Sequence, residues 1–276
     1  MSDDRYNLKQ VIWPETPFDL MKHAVIIGKR GSEAHGTYVP PTGEDGKPLA
    51  HGIDDRDIMG ICVPPIDYYF GLKQWEGKDA INDCWDVVLY SFQKFTRLLC
   101  EQNPNVLALL WLRPEDYLHL SEEGVELIKR RDLFRSKNRA YKSFLGYASG
   151  QMHRMTHTDG NKYSGYMGAK RKALVDKYGY DTKNAAHLIR LLKMGIEYLS
   201  TGELTPYRSQ DAAEIINIKL GRWPLEEVNK YAEDLFAKAK DAMDKSPMPE
   251  HPDLEAINNL VAGLTDDFFE RTNPKL

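Results

Sequence analysis

The sequence predicts an α+β fold, with strands and helices mixed up to Pro114 and helices alone beyond it. Three observations carry this expectation. Short apolar runs rich in β-branched residues, with period-two alternation, fall before Phe92. Apolar residues at helical spacing dominate after Pro114, and Pro and Gly punctuate the segments between.

The elements follow in order. "HAVIIG" (His23 to Gly28) is a short apolar run ending in glycine and reads as a buried strand, with a turn at Lys29 to Ser32. "DDRDIMGICVPP" alternates from Asp55 to Val63 and reads as a second strand ended by Pro64 and Pro65. "CWDVVLYS" (Cys84 to Ser91) reads as a third, with Asp86, Val88 and Tyr90 on one face and Trp85, Val87 and Leu89 on the other. Phe92, Phe95, Leu98 and Leu99 have helical spacing, stopped at Asn103-Pro104. From "SEEGVELIKRR" onward every periodic segment is helical. The helix "TKNAAHLIRLLKMGIEYLST" has Asp181 or Thr182 as N-cap and Gly202 as its stop. A long amphipathic helix (Pro224 to Ser246), a linker "PMPEHPD" and a short helix around Leu254 to Leu264 complete the chain. The division expected is a mixed unit over residues 1–125 and a helical, cationic unit over 126–276.

The 276 residues, 42% of them hydrophobic, suffice for a real core. No apolar run reaches bilayer length, and the N-terminus "MSDDRYNLKQ" is polar, unlike a signal peptide, so a cytoplasmic protein is expected. Cys62, Cys84 and Cys100 lack CxxC spacing and read as buried thiols. Charge is more telling. The window Lys129 to Lys193 holds sixteen Lys and Arg against four Asp and no Glu, a local +12 in a chain of net charge −4. A solvated helix surface or a site for a polyanion, such as a triphosphate or a nucleic-acid backbone, would each account for it.

On a strand, Asp55 and Asp57 share a face while Arg56 and Ile58 take the other. Two carboxylates on one rigid face suit Mg²⁺ (or Mn²⁺), which wants a few hard oxygens and keeps room for phosphate. A third carboxylate on the next strand lets two metals bind. Asp86 is the best placed, with Asp83 and Glu76 as alternatives. A solvated turn is the competing reading; a calcium loop is excluded by the missing later acids. Gly31 and Ser32 supply backbone N–H groups and a small hydroxyl at a tight turn or helix start, a cradle for phosphate oxygens. A phosphate cradle and a carboxylate metal site are the parts needed for nucleotidyl transfer from an NTP.

These residues resemble a family. A strand, Gly-Ser, then alternating aspartates on the next strand look like the DNA polymerase beta superfamily of nucleotidyltransferases. More narrowly, "GSEAHGT…DDRDIMGI", "DVVLYSFQKFTRLLCEQNPNVLALLW" and "TKNAAHLIRLLKMGIEYLSTGEL" are similar to the nucleotidyltransferases associated with RNA ligases in bacteria and phages. The resemblance runs from about Val25 to Arg208. It implies a small mixed sheet with flanking helices followed by a helical region that closes over the nucleotide. It also implies the triphosphate on Gly31 and Ser32 and the metals on Asp55, Asp57 and Asp86. Twenty-two residues separate Ser32 from Asp55, more than the superfamily's usual spacing, with "PPTGEDGKPLAHG" as a turn-rich excursion.

In the helix starting near Asp181, Lys183, His187 and Arg190 share one face and are expected, with Lys137, to bind the nucleotide; Arg154, Lys170 and Arg171 lie in nearby segments. His187 reads equally as a hydrogen-bonded structural histidine. Tyr147, Tyr163, Tyr166, Tyr178 and Tyr180 suit base stacking or helix packing. The expected activity is Mg²⁺-dependent transfer of an NMP from an NTP to a hydroxyl on RNA. A non-catalytic nucleotide-binding or RNA-binding module, and a regulator that nucleotidylates protein, are the other readings.

Overall fold

The computed structural model of the chain describes residues 6–42, 47, 55–156 and 169–272. The first single-turn helix, α1 (Leu20–His23), leads into β1 (Ala24–Lys29), and a second single turn, α2 (Gly31–Ala34), leaves it. Next come β2 (Arg56–Cys62), α3 (Asp67–Phe70), β3 (Gly77–Asn82), β4 (Trp85–Ser91), α4 (Phe92–Cys100), α5 (Pro104–Leu107) and β5 (Tyr117–Leu120). Helices follow: α6 (Glu122–Lys129), α7 (Lys137–Thr156), α8 (Ala169–Tyr178), α9 (Thr182–Thr201), α10 (Ala212–Lys219), α11 (Leu225–Asp244) and α12 (Leu254–Thr272). This is a mixed α+β fold with a helical C-terminal region, as expected. Among the described residues no helix is long and apolar enough to cross a membrane.

The five strands form one mixed sheet in the order β3-β4-β2-β1-β5. The pair β2 and β4 is parallel and every other pair is antiparallel. Two strands are additions to the sequence reading. β5 lies beyond Pro114, where only helices are expected, because a strand of four residues is too short to show a period; its register comes from β1. The edge strand β3 is largely exposed and its pattern carries no apolar face.

Alternation along the strands gives the sheet two covered faces. Met59, Ile61 and Val63 look toward the helices, where Phe92, Phe95 and Leu99 of α4, Phe144 of α7, Tyr198 of α9 and Phe268 of α12 close a core. That core draws on residues from both sides of position 125. Ile58, Cys62, Trp85, Val87 and Leu89 look the other way and are covered by the N-terminal segment through Tyr6 and Val11. The alternation expected from Asp55 to Val63 stops at Ile58, because burial on both sides of the sheet makes every residue from Ile58 to Cys62 a core position. A second, all-helical core joins α7, α9, α10 and α11 through Ala148, Leu188, Ile189, Leu192, Ile215 and Val228.

Local signals set the helix ends. Asp181 Oδ1 accepts from the backbone N–H of Lys183 and Asn184, each at 3.0 Å, which settles the N-cap of α9, and Gly202 ends it at φ 76°. Asn103 begins α5 as well as ending the segment after α4, because its side chain accepts from the N–H groups of Asn105 and Val106 with Pro104 in the first turn. The last helix runs eight residues past Leu264, to Thr272, because Phe268 and Phe269 continue its buried face.

Candidate active site

The parallel register of β2 and β4 places Asp57 directly opposite Asp86. Both sit on the helix-facing side, with Met59 and Tyr90 in step. Arg56 turns to the other face and lies over the Trp85 ring at 5.1 Å. Asp55 precedes the strand and is exposed. One cation joins the pair: Arg30 Nη2 contacts Asp86 and lies 3.7 Å from Asp57 Oδ1. Burial, opposed by Arg30 and reinforced by Asp86, raises Asp57 to a pKa of about 6. Gly31 is the residue that lets α2 approach this closely. Its φ is +65°, and a Cβ there would stand 1.8 Å from Asp57 Oδ2.

A cavity of about 420 Å³ opens over the carboxylates. Gly31 and Ser32 line it on one side, α7, α9 and α10 on the other, and seven Lys and Arg side chains share its wall with Asp55, Asp57 and Asp86. Arg190 is 7% exposed, and no ion pair with a carboxylate is recorded for it among the described residues. It donates to His35 Nε2 and, at 3.4 Å, to Met194 Sδ. His35 in turn donates from Nδ1 to the Pro206 carbonyl at 2.9 Å, which leaves Nε2 as an acceptor and the ring neutral. Burial, with Arg208 second, lowers Arg190 to a pKa of about 10. A buried guanidinium with a neutral partner is costly until an anion arrives.

Two lysines complete this wall. Burial, then Arg171, lowers the pKa of Lys183, against the pull of Asp55 and Asp57. Lys219 at the end of α10 donates to the Thr37 carbonyl at 3.1 Å, and burial followed by Lys183 lowers it to about 8. His187, one turn before Leu191, is held well below the usual histidine range by burial and by Arg190, Lys183 and Arg171. The helical wall is tied to the loop after α2, since the Arg208 N–H donates to the His35 carbonyl at 3.0 Å.

The fold therefore brings together Asp55, Asp57, Asp86, Gly31, Ser32, Lys183, His187 and Arg190. Lys137 is not on the cavity wall; its Nζ lies 3.7 Å from Glu250. Of the other acids, Glu76 pairs with Lys94 and Arg97, and Asp83 occupies a left-handed turn position at φ 55°. The cationic window divides in two. Arg131 and Arg135 pair with Glu203, and Arg139 with Glu101, whereas Arg154, Arg171, Lys183 and Arg190 reach the cavity. Of the tyrosines, Tyr147 lines the cavity, and Tyr180 is core, donating to the Trp223 carbonyl. Tyr163 and Tyr166, residues 43–46 and 48–52 of the excursion from Pro40 to Gly52, and the side chain of Lys170 lie outside the described residues.

The family model of RlaP, the RNA repair pathway DNA polymerase beta family, matches residues 43–263. The chain belongs to this family. The matched stretch includes all three aspartates and the helical wall, begins after Gly31 and Ser32, and extends past Arg208 to α12. The family is one of polymerase-beta-like nucleotidyltransferases in an RNA repair pathway. No curated protein sequence matches the chain. Among solved structures, a nucleotidyltransferase-like protein from Exiguobacterium sibiricum 255-15 is similar at 12% identity, over 92% of this chain and 75% of that one, with a TM-score of 0.26.

Among the described residues no three His, Cys, Asp or Glu side chains are gathered as a ready cage. The donors present are all carboxylate oxygens, paired across β2 and β4 and already holding the Arg30 cation. Such a set fits Mg²⁺ or Mn²⁺, which leave coordination positions to phosphate and water. Sequence reasoning missed Arg30, His35 and Lys219. The signal for Lys219 was present, a single lysine closing the apolar stretch "EIINIKL" outside the cationic window. A larger cleft of about 790 Å³ between α3 and α12 is lined by Tyr69, Phe70, Val261 and Phe269 with Asp266 and Glu270. Among the described residues no Lys or Arg stands on its wall, and Asp266 and Glu270 there disfavour a polyanion.

The neutral histidines have a measurable consequence. With the folded-state value of His35 below the unfolded one, the unfolded chain binds the extra proton as pH falls below about 6.5. The stability linked to each neutral ring is therefore fully present above that pH and declines beneath it, by up to about 1.4 kcal/mol per pH unit per histidine. Denaturant unfolding at pH 7.5, 6.5 and 5.5 should show a shallower acid decline in His35→Gln than in the parent chain. Parallel slopes would mean that His35 is protonated in the fold.

Proposed function

We propose that the protein is a Mg²⁺- or Mn²⁺-dependent nucleotidyltransferase that moves an NMP group from an NTP to a hydroxyl on RNA. The observation that carries this reading is the Asp57–Asp86 pair facing Lys183, Arg190 and Lys219 across one cavity. Membership of an RNA repair family supports RNA as the acceptor. In the reaction the acceptor oxygen bonds to the α-phosphorus, and the bond from that phosphorus to the α–β bridging oxygen breaks. The electron pair leaves with pyrophosphate, and Asp86 takes the acceptor proton. Gly31 and Ser32 hold the departing phosphates, while Lys183, Arg190 and Lys219 neutralise them and His187 offers a neutral hydrogen-bonding ring. A cation held by Asp55, Asp57 and Asp86 would add charge neutralisation and make the acceptor hydroxyl more acidic. Catalysis on this reading is mainly positioning and electrostatic stabilisation, with the helical residues 126–276 closing over a nucleotide held by 1–125.

The test is transfer of label from each α-labelled NTP to RNA and to protein, with Mg²⁺ or Mn²⁺. Label on RNA is the expected result. Label on protein alone would replace the acceptor, and no label despite intact NTP binding would make the chain a nucleotide-binding module.

A further inference from the structure

Along α7, Tyr147, Gln151 and Arg154 succeed one another at spacings of four and three and all line the cavity. Two of them are unlike the phosphate-facing cations of α9 and α10. The Tyr147 ring is 37% exposed, and its hydroxyl accepts from Asn103 Nδ2 at 2.8 Å, which steadies the ring. Gln151 is only 9% exposed, yet among the described residues its Oε1 has no hydrogen-bond partner. A buried amide oxygen left unpaired is a standing cost, removed when a ligand brings a donor. Ala108, Leu109 and Leu112 on the same cavity wall carry no side-chain donor.

A flat aromatic face beside a recessed acceptor is the chemistry of nucleobase recognition. Resting on the proposed NTP substrate, we propose that Tyr147 and Gln151 form the base subsite. The base stacks on Tyr147, and an exocyclic amino group donates to Gln151 Oε1. An exocyclic amine projects beyond the ring edge and reaches a recessed oxygen. Uracil has none; its ring N–H lies between two carbonyl oxygens that would meet Oε1 at close range. The subsite therefore takes an amino-bearing base and rejects uracil.

Calorimetric binding to the full chain of ATP, CTP, GTP, UTP and inorganic tripolyphosphate tests this. UTP should bind at least about 10-fold more weakly than the best of the other three. Gln151→Met, close in shape to the parent side chain, should bring that best nucleotide to the level of UTP and leave tripolyphosphate unchanged. Gln151→Glu keeps an acceptor and should keep the preference. Tyr147→Ala should weaken every NTP about 5- to 100-fold and spare tripolyphosphate. Four NTPs of equal affinity, or a preference untouched by Gln151→Met, would overturn the base subsite while leaving the triphosphate site standing. Failure of tripolyphosphate and of every NTP to bind would overturn both readings.

Discussion

Asp57→Asn is expected to lower nucleotidyl transfer by about 100- to 1,000-fold, the range seen when one strong electrostatic contribution to a transition state is removed. It is also expected to make the protein more stable near neutral pH. The sign follows from the fold. Asp57 is raised to about 6, above the unfolded value near 3.9, so the folded chain binds its proton more tightly and loses stability as pH climbs between the two. Above about pH 6 the parent chain carries the whole penalty of a desolvated carboxylate, and asparagine carries none. Two pKa units correspond to about 3 kcal/mol; as the side chain is 21% exposed, a gain of about 1–2 kcal/mol is expected at pH 7.5. Added Mg²⁺ should narrow the gap by stabilising only the parent chain. Thermal melts of both proteins with and without Mg²⁺, beside the transfer assay, check each part. A variant that keeps its activity would remove Asp57 from the site, and one that melts earlier at pH 7.5 would mean that its carboxylate is well solvated or firmly paired.

Gly31→Ala should be nearly as damaging to turnover, by a different route. The new methyl group would fall 1.8 Å from Asp57 Oδ2 and 2.5 Å from its Cγ, so the carboxylate must turn away or α2 must move. The φ of +65° adds a backbone cost of about 1–2 kcal/mol for alanine. Transfer should fall by about 100-fold or more, and the denaturant midpoint should drop with it. Ser32→Ala, which removes one hydroxyl at the same turn and leaves Asp57 in place, should cost far less. Full activity in Gly31→Ala would show that the turn and the strand aspartate need not approach each other. The pairing of the two substitutions separates a phosphate cradle from a steric seat for Asp57.

Much of this arrangement was legible in the chain itself. Period-two alternation sent Asp57 and Ile58 to opposite faces before any partner strand was known, and β2 obeys it, with Ile58 buried against Trp85 and Asp57 turned to the cavity. The face of α9 bearing Lys183, His187 and Arg190 was readable for the same reason, because spacings of four and three define one side of a helix. Charge counting was less discriminating. It marked Lys129 to Lys193 as cationic, yet it could not separate Lys137, which meets Glu250, from Arg190, which donates to a neutral histidine and a thioether.

Local periodicity and capping are properties of neighbours in sequence, and they were enough for β1, β2, β4, the ends of α9 and the candidate carboxylates. Pairings across long stretches of chain were not available to them. Which acid stands opposite Asp57 depends on the register of a parallel pair whose strands lie 29 residues apart, Asp57 against Asp86, and no local rule sets that number. The same holds for β5, which becomes a strand because β1 offers it an open edge, and for His35 and Lys219, which reach the cavity only once the helical region bonds to the loop after α2. The residue types and their faces are written locally; their company is set by packing, since burial and hydrogen bonding are settled between segments that meet only in the folded chain.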